Sequence, residues 1–203
     1  MPFGLFIDGA YAYRVMEKRK INFLALRKII EESLDDTMDE GYYFNADDSQ
    51  ALAERLHNAL TYQPPQGPGL RVKVYTMKKI SLYWPDKTPV IHPTKHYQYE
   101  LKVQKAVDVG LVYHMIRSYT KRHWDQLVLV AGDGDFHEPV QDLVEHEGVK
   151  LHIFGSINTI SSGLRPYGKI YEMNKSPIME QILLYPDDAE TLRNENGDWD
   201  GGL

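Results

Sequence analysis

Cysteine is missing from all 203 residues. That excludes disulfides and thiolate metal sites, and it leaves a structural zinc site only an all-histidine and carboxylate ligand set. The absence fits a reducing compartment. No window approaches the roughly 18 uninterrupted apolar residues of a membrane span. The first residues lack a basic stretch followed by a long apolar one, the mark of a signal peptide. The expectation is a cytoplasmic protein with no membrane partner. The signature loops of several enzyme classes are missing too. There is no Gly-x-x-x-x-Gly-Lys-Ser/Thr and no Gly-x-Gly-x-x-Gly, which removes the best support for nucleotide and dinucleotide sites. There is no Gly-x-Ser-x-Gly elbow and no His-Glu-x-x-His zinc pair among the eight histidines. Bases are outnumbered, 23 Lys and Arg against 29 Asp and Glu, for a net charge of −6. Six acids and one arginine between Pro186 and Leu203 account for −5 of that. The rest of the chain is near neutral, so a basic face and a polyanionic substrate are compatible with the total.

What is present is a repeated grammar of strand and acid. Val128-Leu-Val-Ala-Gly-Asp-Gly-Asp-Phe136 is an apolar run that ends in a glycine turn carrying Asp133 and Asp135. Phe3-Gly-Leu-Phe-Ile-Asp-Gly9 ends the same way in Asp8. A third acid, Asp108, interrupts the apolar stretch Val107–Val112. In an open α/β sheet, ligands bind at the carboxyl ends of the strands. Carboxylates crowded there repel one another unless a cation neutralises them, and a hard divalent ion is the natural occupant. That points to Mg²⁺ or Mn²⁺ and to phosphate chemistry. Each acid also has a plain structural reading. Asp8 can cap the next helix, Asp133 the turn, Asp135 the helix from Phe136, and Asp108 can favour its own helix through the dipole.

The periodicity predicts strands at 3–8, 41–46, 72–75, 126–131, 149–154 and 170–173. Helices follow from Asn22, from Asp47 or Asp48, over about 105–119, over 136–147 and near 177–184. Gln63–Gly69 is a firm break. Ser81–Tyr99, with its prolines and aromatics, reads as a long loop or a small extra hairpin, and as a possible interface with a protein partner or a second copy. Strands alternating with helices through short glycine turns argue for a parallel sheet covered on both faces. Residues 1–185 read as one domain, and 186–203 as an acidic tail with too little apolar content to fold.

These segments resemble the NYN domain family of PIN-like ribonucleases, including the LabA/DUF88 group. The resemblance rests on Phe6-Ile-Asp-Gly9, Lys105-Ala-Val-Asp-Val-Gly-Leu111 and Ala131-Gly-Asp-Gly-Asp-Phe-His-Glu-Pro-Val140, in that order. Tyr42-Tyr-Phe-Asn45, Gly148–Gly155 and Ser161-Ser-Gly-Leu164 add weaker matches. The resemblance implies a three-layer α/β/α sandwich with a mainly parallel central sheet. It implies Mg²⁺- or Mn²⁺-dependent hydrolysis of RNA phosphodiesters, with Asp8, Asp108, Asp133 and Asp135 as catalytic and metal-ligating residues. Lys105, Lys102 and Arg117 are then candidate phosphate contacts for single-stranded or structured RNA. Tyr11, Tyr13 and Trp84 are candidate base-stacking partners. The chain departs from the family pattern at Tyr11, where an asparagine is common, and at His114 and Asn45, where acids are common. Tyr167-Gly-Lys169 replaces a common Ala-Asp pair. These departures leave open an alternative, a catalytically degenerate module that binds RNA or a protein. Two further phosphate enzymes fit less well. A toprim nuclease wants glutamate where Asp8 stands, and a haloacid-dehalogenase-like phosphatase wants Asp-x-Asp where the chain reads Asp8-Gly-Ala10.

Overall fold

Strand β1 (Phe3–Asp8) is buried at every residue, as befits a strand covered on both faces. The computed structural model describes residues 2–184; the acidic segment 186–203 lies outside them. Within these residues the chain runs β1, α1 (Gly9–Val15), α2 (Phe23–Leu34), β2 (Met38–Ala46), α3 (Gln50–Thr61), β3 (Arg71–Tyr75), β4 (Lys78–Ser81), β5 (Glu100–Val103), α4 (Val107–Arg122), β6 (Gln126–Val130), α5 (His137–Glu145), β7 (Lys150–Gly155), β8 (Gly168–Glu172) and α6 (Ile178–Ile182). Six strands form one sheet in the order β3-β2-β1-β6-β7-β8, and every neighbouring pair is parallel. The fold is the predicted α/β class.

Alternation along the strands sorts the two faces. Phe6 stacks on Tyr42, and Tyr42 on His114 of α4, so α4 covers that face. Tyr43 points the other way and meets Phe23 of α2 edge-on. Asn22 caps α2 as expected, accepting from the Ala25 amide at 3.0 Å. The cap of α3 is Ser49, not Asp47 or Asp48. Asp47 instead accepts from the Ser49 amide and Asp48 from the Met77 amide, so the two acids brace the turn leading into the helix. β2 starts earlier than its apolar run, because Met38 and Glu40 pair with Phe3 and Gly4 through backbone alone.

The 81–99 stretch is a hairpin, not a loop. β4 and β5 pair antiparallel, and bridges Tyr83–Pro89 and Ile91–Gln98 extend the arm beyond them.

One buried polar chain ties β2, β3 and α4 together. The Trp124 indole donates to Ser118 Oγ at 3.0 Å, Ser118 donates to the Glu40 carboxylate, and Glu40 pairs with Arg71. Glu40 is 7% exposed. Truncating Arg71 to alanine removes its only cationic partner among the described residues and is expected to cost about 1–3 kcal/mol. A urea midpoint equal to wild type would show that the pair contributes nothing.

Candidate active site

β1 and β6 are neighbours at the centre of the sheet, and the strand order runs outward from them in both directions. A crevice opens at the carboxyl ends of such a pair, where the connecting helices depart to opposite sides. The register pairs Ile7 with Val130, which sets Asp8 level with Ala131, on strands about 4.8 Å apart. Asp133 follows two residues later. Chain order, register and sheet order therefore place the two acidic turns side by side.

Asp8 caps α1 through its carboxylate, which accepts from the Tyr11 amide at 3.1 Å. It is 8% exposed. Burial raises its pKa above 3.8, the Tyr11 amide opposes this, and the charge of Asp108 raises it further. Asp8 shares the α4 side of β1 with Phe6, by strand alternation. Asp108, in the first turn of α4, is half-buried. Its pKa is raised by burial first, then by the charges of Asp133 and Asp135. Asp133 and Asp135 are exposed at the rim. Asp133 caps a single 3-10 turn, Gly134–Phe136, by accepting from the Asp135 amide at 3.1 Å. Asp135 does not cap α5, whose preceding residue is Phe136 with no side-chain cap. Asp108 thus stands between Asp8 and the acidic turn, within the reach of charge of both. Among the described residues, however, no three His, Cys, Asp or Glu side chains form a ready-made metal cluster. Carboxylates are oxygen donors, the ligand type of hard divalent cations, and Mg²⁺ retains several waters and takes only one or two of them.

The expected substrate contacts divide. Tyr11 is 1% exposed, so stacking on a base, as the sequence suggested, is corrected. Its hydroxyl hydrogen-bonds Thr159 Oγ1 at 2.9 Å and accepts from the Ser156 amide. Its ring fills the space beside two glycines. A Cβ on Gly132 would sit 2.5 Å from the ring, and one on Gly155 would sit 2.3 Å from the hydroxyl. Lys105 is exposed just before α4, three residues ahead of Asp108 in the chain. Lys102, on β5, pairs with Asp48 at 2.9 Å. Arg117 lies nine residues beyond Asp108, about 13 Å along the helix and on its opposite face. It lines a separate cavity of about 230 Å³ with Glu40, Arg71, Lys73, His114 and Lys121. Of the family departures, His114 belongs to that cavity. Its pKa is lowered by burial first, then by Lys73 and Arg117. Asn45 Oδ1 accepts from the Ala46 amide. Tyr167 lies against His137, and Lys169 over the Tyr171 ring.

Sequence reasoning missed Arg14, exposed on α1, whose charge lowers the pKa of Asp8 and whose guanidinium stands over the Tyr11 ring. It missed Tyr43, whose buried phenol is pushed up by burial and by Asp8. For the loop after β7, where Ser161-Ser-Gly-Leu164 had only marked a resemblance, it missed the contact: the Ser161 amide donates to the Gly132 carbonyl at 2.8 Å and straps the acidic turn. Only Arg14 carried a signal, a cation in the helix that Asp8 caps. The strap is a main-chain contact and is invisible in residue types.

The NYN domain model matches residues 2–167. The chain belongs to the NYN domain family. NYN domains are a family of PIN-like nucleases. A crystal structure of a protein of unknown function from Vibrio parahaemolyticus is similar at a TM-score of 0.55 and 16% identity, over 90% of this chain and 96% of that one. That likeness supports the fold of this NYN domain alone. Nothing among curated proteins matches the chain. Among the described residues no helix is long and apolar enough to cross a membrane.

Proposed function

We propose that this NYN domain is a metal-dependent ribonuclease that hydrolyses RNA phosphodiester bonds at Asp8, Asp108, Asp133 and Asp135. The observation that carries the reading is the register of β1 on β6, which sets the acid-bearing ends of both strands side by side at the switch point of the sheet, with Asp108 near enough for its charge to act on Asp8. Like charges held together against burial destabilise the site until a cation or a proton joins them. Asp8, Asp108 and Asp133 would hold Mg²⁺ or Mn²⁺, with Asp135 as a further ligand directly or through water. When bound, the ion lowers the pKa of an attacking water and offsets the charge on phosphorus. Asp8 is held in place by its cap bond to α1, and Asp133 by its bond to the Asp135 amide, so both are oriented before substrate arrives. Arg14, whose charge acts on Asp8, and Lys105, three residues before Asp108, would supply positive charge for phosphates on either side of the scissile bond. Water adds to phosphorus, the phosphorus–oxygen bond to the departing ribose breaks, and the water's proton ends on the released hydroxyl. A cytoplasmic site of action belongs to the same proposal and is supported by the cysteine-free composition.

Asp133→Asn is expected to reduce Mn²⁺-dependent cleavage of RNA by about 10²–10³-fold, the cost of removing one preorganised electrostatic contact. Wild-type-like cleavage by this variant would end the proposal. A second reading, an RNA- or protein-binding NYN module without catalysis, is favoured by the lack of a three-ligand cluster among the described residues. It predicts RNA bound in Mn²⁺ but left intact, with no rise in Tm on adding the ion.

A further inference from the structure

The arm between β3 and α4 carries most of the exposed large apolar side chains among the described residues. Residues 78–105 hold six lysines and two acids, a net +4 in a chain whose total is −6. The same arm exposes Ile80, Leu82, Tyr83, Trp84, Ile91, Tyr97 and Leu101, with Tyr83 59%, Trp84 58% and Tyr97 50% accessible. These rings are not on a floppy loop. Trp84 N donates to the Thr88 carbonyl at 2.8 Å, and Asp86 accepts from both the Thr88 amide and its hydroxyl, closing the turn that presents Trp84. The second turn is closed by the His92 amide on the Tyr97 carbonyl, and the His92 ring packs against Tyr97 and Tyr99. Two residues separate the end of β3 from β4, and three separate β5 from the start of α4. The arm is therefore rooted at the carboxyl end of the sheet, the end that carries the aspartates.

Exposed aromatics interleaved with lysines fit one class of partner. Protein interfaces enrich aromatics but deplete lysine. Single-stranded polynucleotides need both, because bases stack on rings and phosphates seek cations. We propose that the 78–105 arm is a stacking platform for a single-stranded polynucleotide, with Tyr83, Trp84 and Tyr97 as base partners and Lys87 and Lys95 as phosphate partners. The choice of RNA over DNA rests on the ribonuclease reading; the platform itself does not.

The test is binding in EDTA, where no metal-dependent cleavage occurs. Labelled oligo-uridylate, oligo-thymidylate and a duplex RNA of equal length are titrated with the full chain. Both single strands should bind more tightly than the duplex. Trp84→Ala with Tyr97→Ala should weaken single-strand binding by at least about tenfold at unchanged Tm. Lys87→Ala with Lys95→Ala should lower the slope of log affinity against log salt by about 0.7 per lysine. In a Trp199→Phe background, emission from Trp84 should be quenched by oligo-uridylate, and adding Trp84→Phe should abolish the quench; Trp124 is 1% exposed and cannot supply it. The inference is overturned by single-strand binding that ignores the aromatic substitutions, by equal duplex binding, or by substitutions that only convert a dimer to a monomer in sedimentation. Asp133→Asn separates the two proposals. Loss of cleavage with binding intact supports both, arm-dependent binding by a wild type that never cleaves sinks only the nuclease, and cleavage with arm-independent binding sinks only the platform.

Discussion

Asp8→Asn is expected to yield a protein that is more heat-stable and cleaves RNA far more slowly. Asparagine keeps the side-chain oxygen that accepts the Tyr11 amide, and it is as good an N-cap as aspartate. What disappears is the charge. Burial, and then Asp108, raise the Asp8 pKa above its ordinary 3.8. An acid so displaced stabilises the folded state fully below pH 3.8 and loses that contribution as pH rises through the folded-state value. Around neutral pH the wild type therefore carries the whole penalty and the variant none. Without metal, the Tm of Asp8→Asn should exceed that of wild type near neutrality, by about 2–4 °C for each kcal/mol relieved. The gap should close as pH falls below 3.8. Saturating Mn²⁺ should narrow the gap from the other side, because an ion at about 100 times its Kd stabilises the wild type by about 2.7 kcal/mol. Cleavage should drop by about 10²–10³-fold. Scanning calorimetry across pH, in EDTA and in Mn²⁺, measures all of this. A variant no more stable than wild type near neutral pH would mean that Asp8 is a cap and nothing more.

Tyr11→Ala carries the largest expected loss of stability. The ring is 1% exposed, fills the gap beside Gly132 and Gly155, and ties α1 to the loop after β7 through Thr159 and Ser156. Removing a buried aromatic costs about 3–5 kcal/mol, a fall in Tm of roughly 6–20 °C at the scale for this chain length. Tyr11→Phe should cost about 1 kcal/mol, since only the hydroxyl contacts are lost. RNA affinity of Tyr11→Phe in EDTA should match wild type. Weakened RNA binding by Tyr11→Phe at unchanged Tm would reverse the assignment and return Tyr11 to the substrate.

Much of the layout is legible in the residues themselves. Phe3–Ile7 and Leu127–Ala131 are short apolar runs that end in acidic glycine turns, the pattern expected of strands buried on both faces. Asn22 capped the helix it was expected to cap because cap geometry is local. Misreadings occurred where local signals competed. Asp47, Asp48 and Ser49 are all good cap residues, and only the path of the turn selects Ser49. The expected helix does carry Arg117 and His114, yet a helical pattern says nothing of which neighbour each side chain faces. Tyr11 was misread because an aromatic after an acidic turn has the same composition whether it meets a base or two glycines that lie more than a hundred residues away.

From its residues alone this chain was bound to form alternating strands and helices, with an acid at the end of each of two buried strands, since period, glycine turns and caps act over a few residues. Whether those acids share a crevice depended on β1 lying beside β6 and on α4 starting above them. Strand order is set by the packing of faces far apart in the chain, and no local pattern encodes it. The same holds for the arm: its lysines and aromatics were written in the sequence, but their common exposure at the acid-bearing end of the sheet came only with the fold.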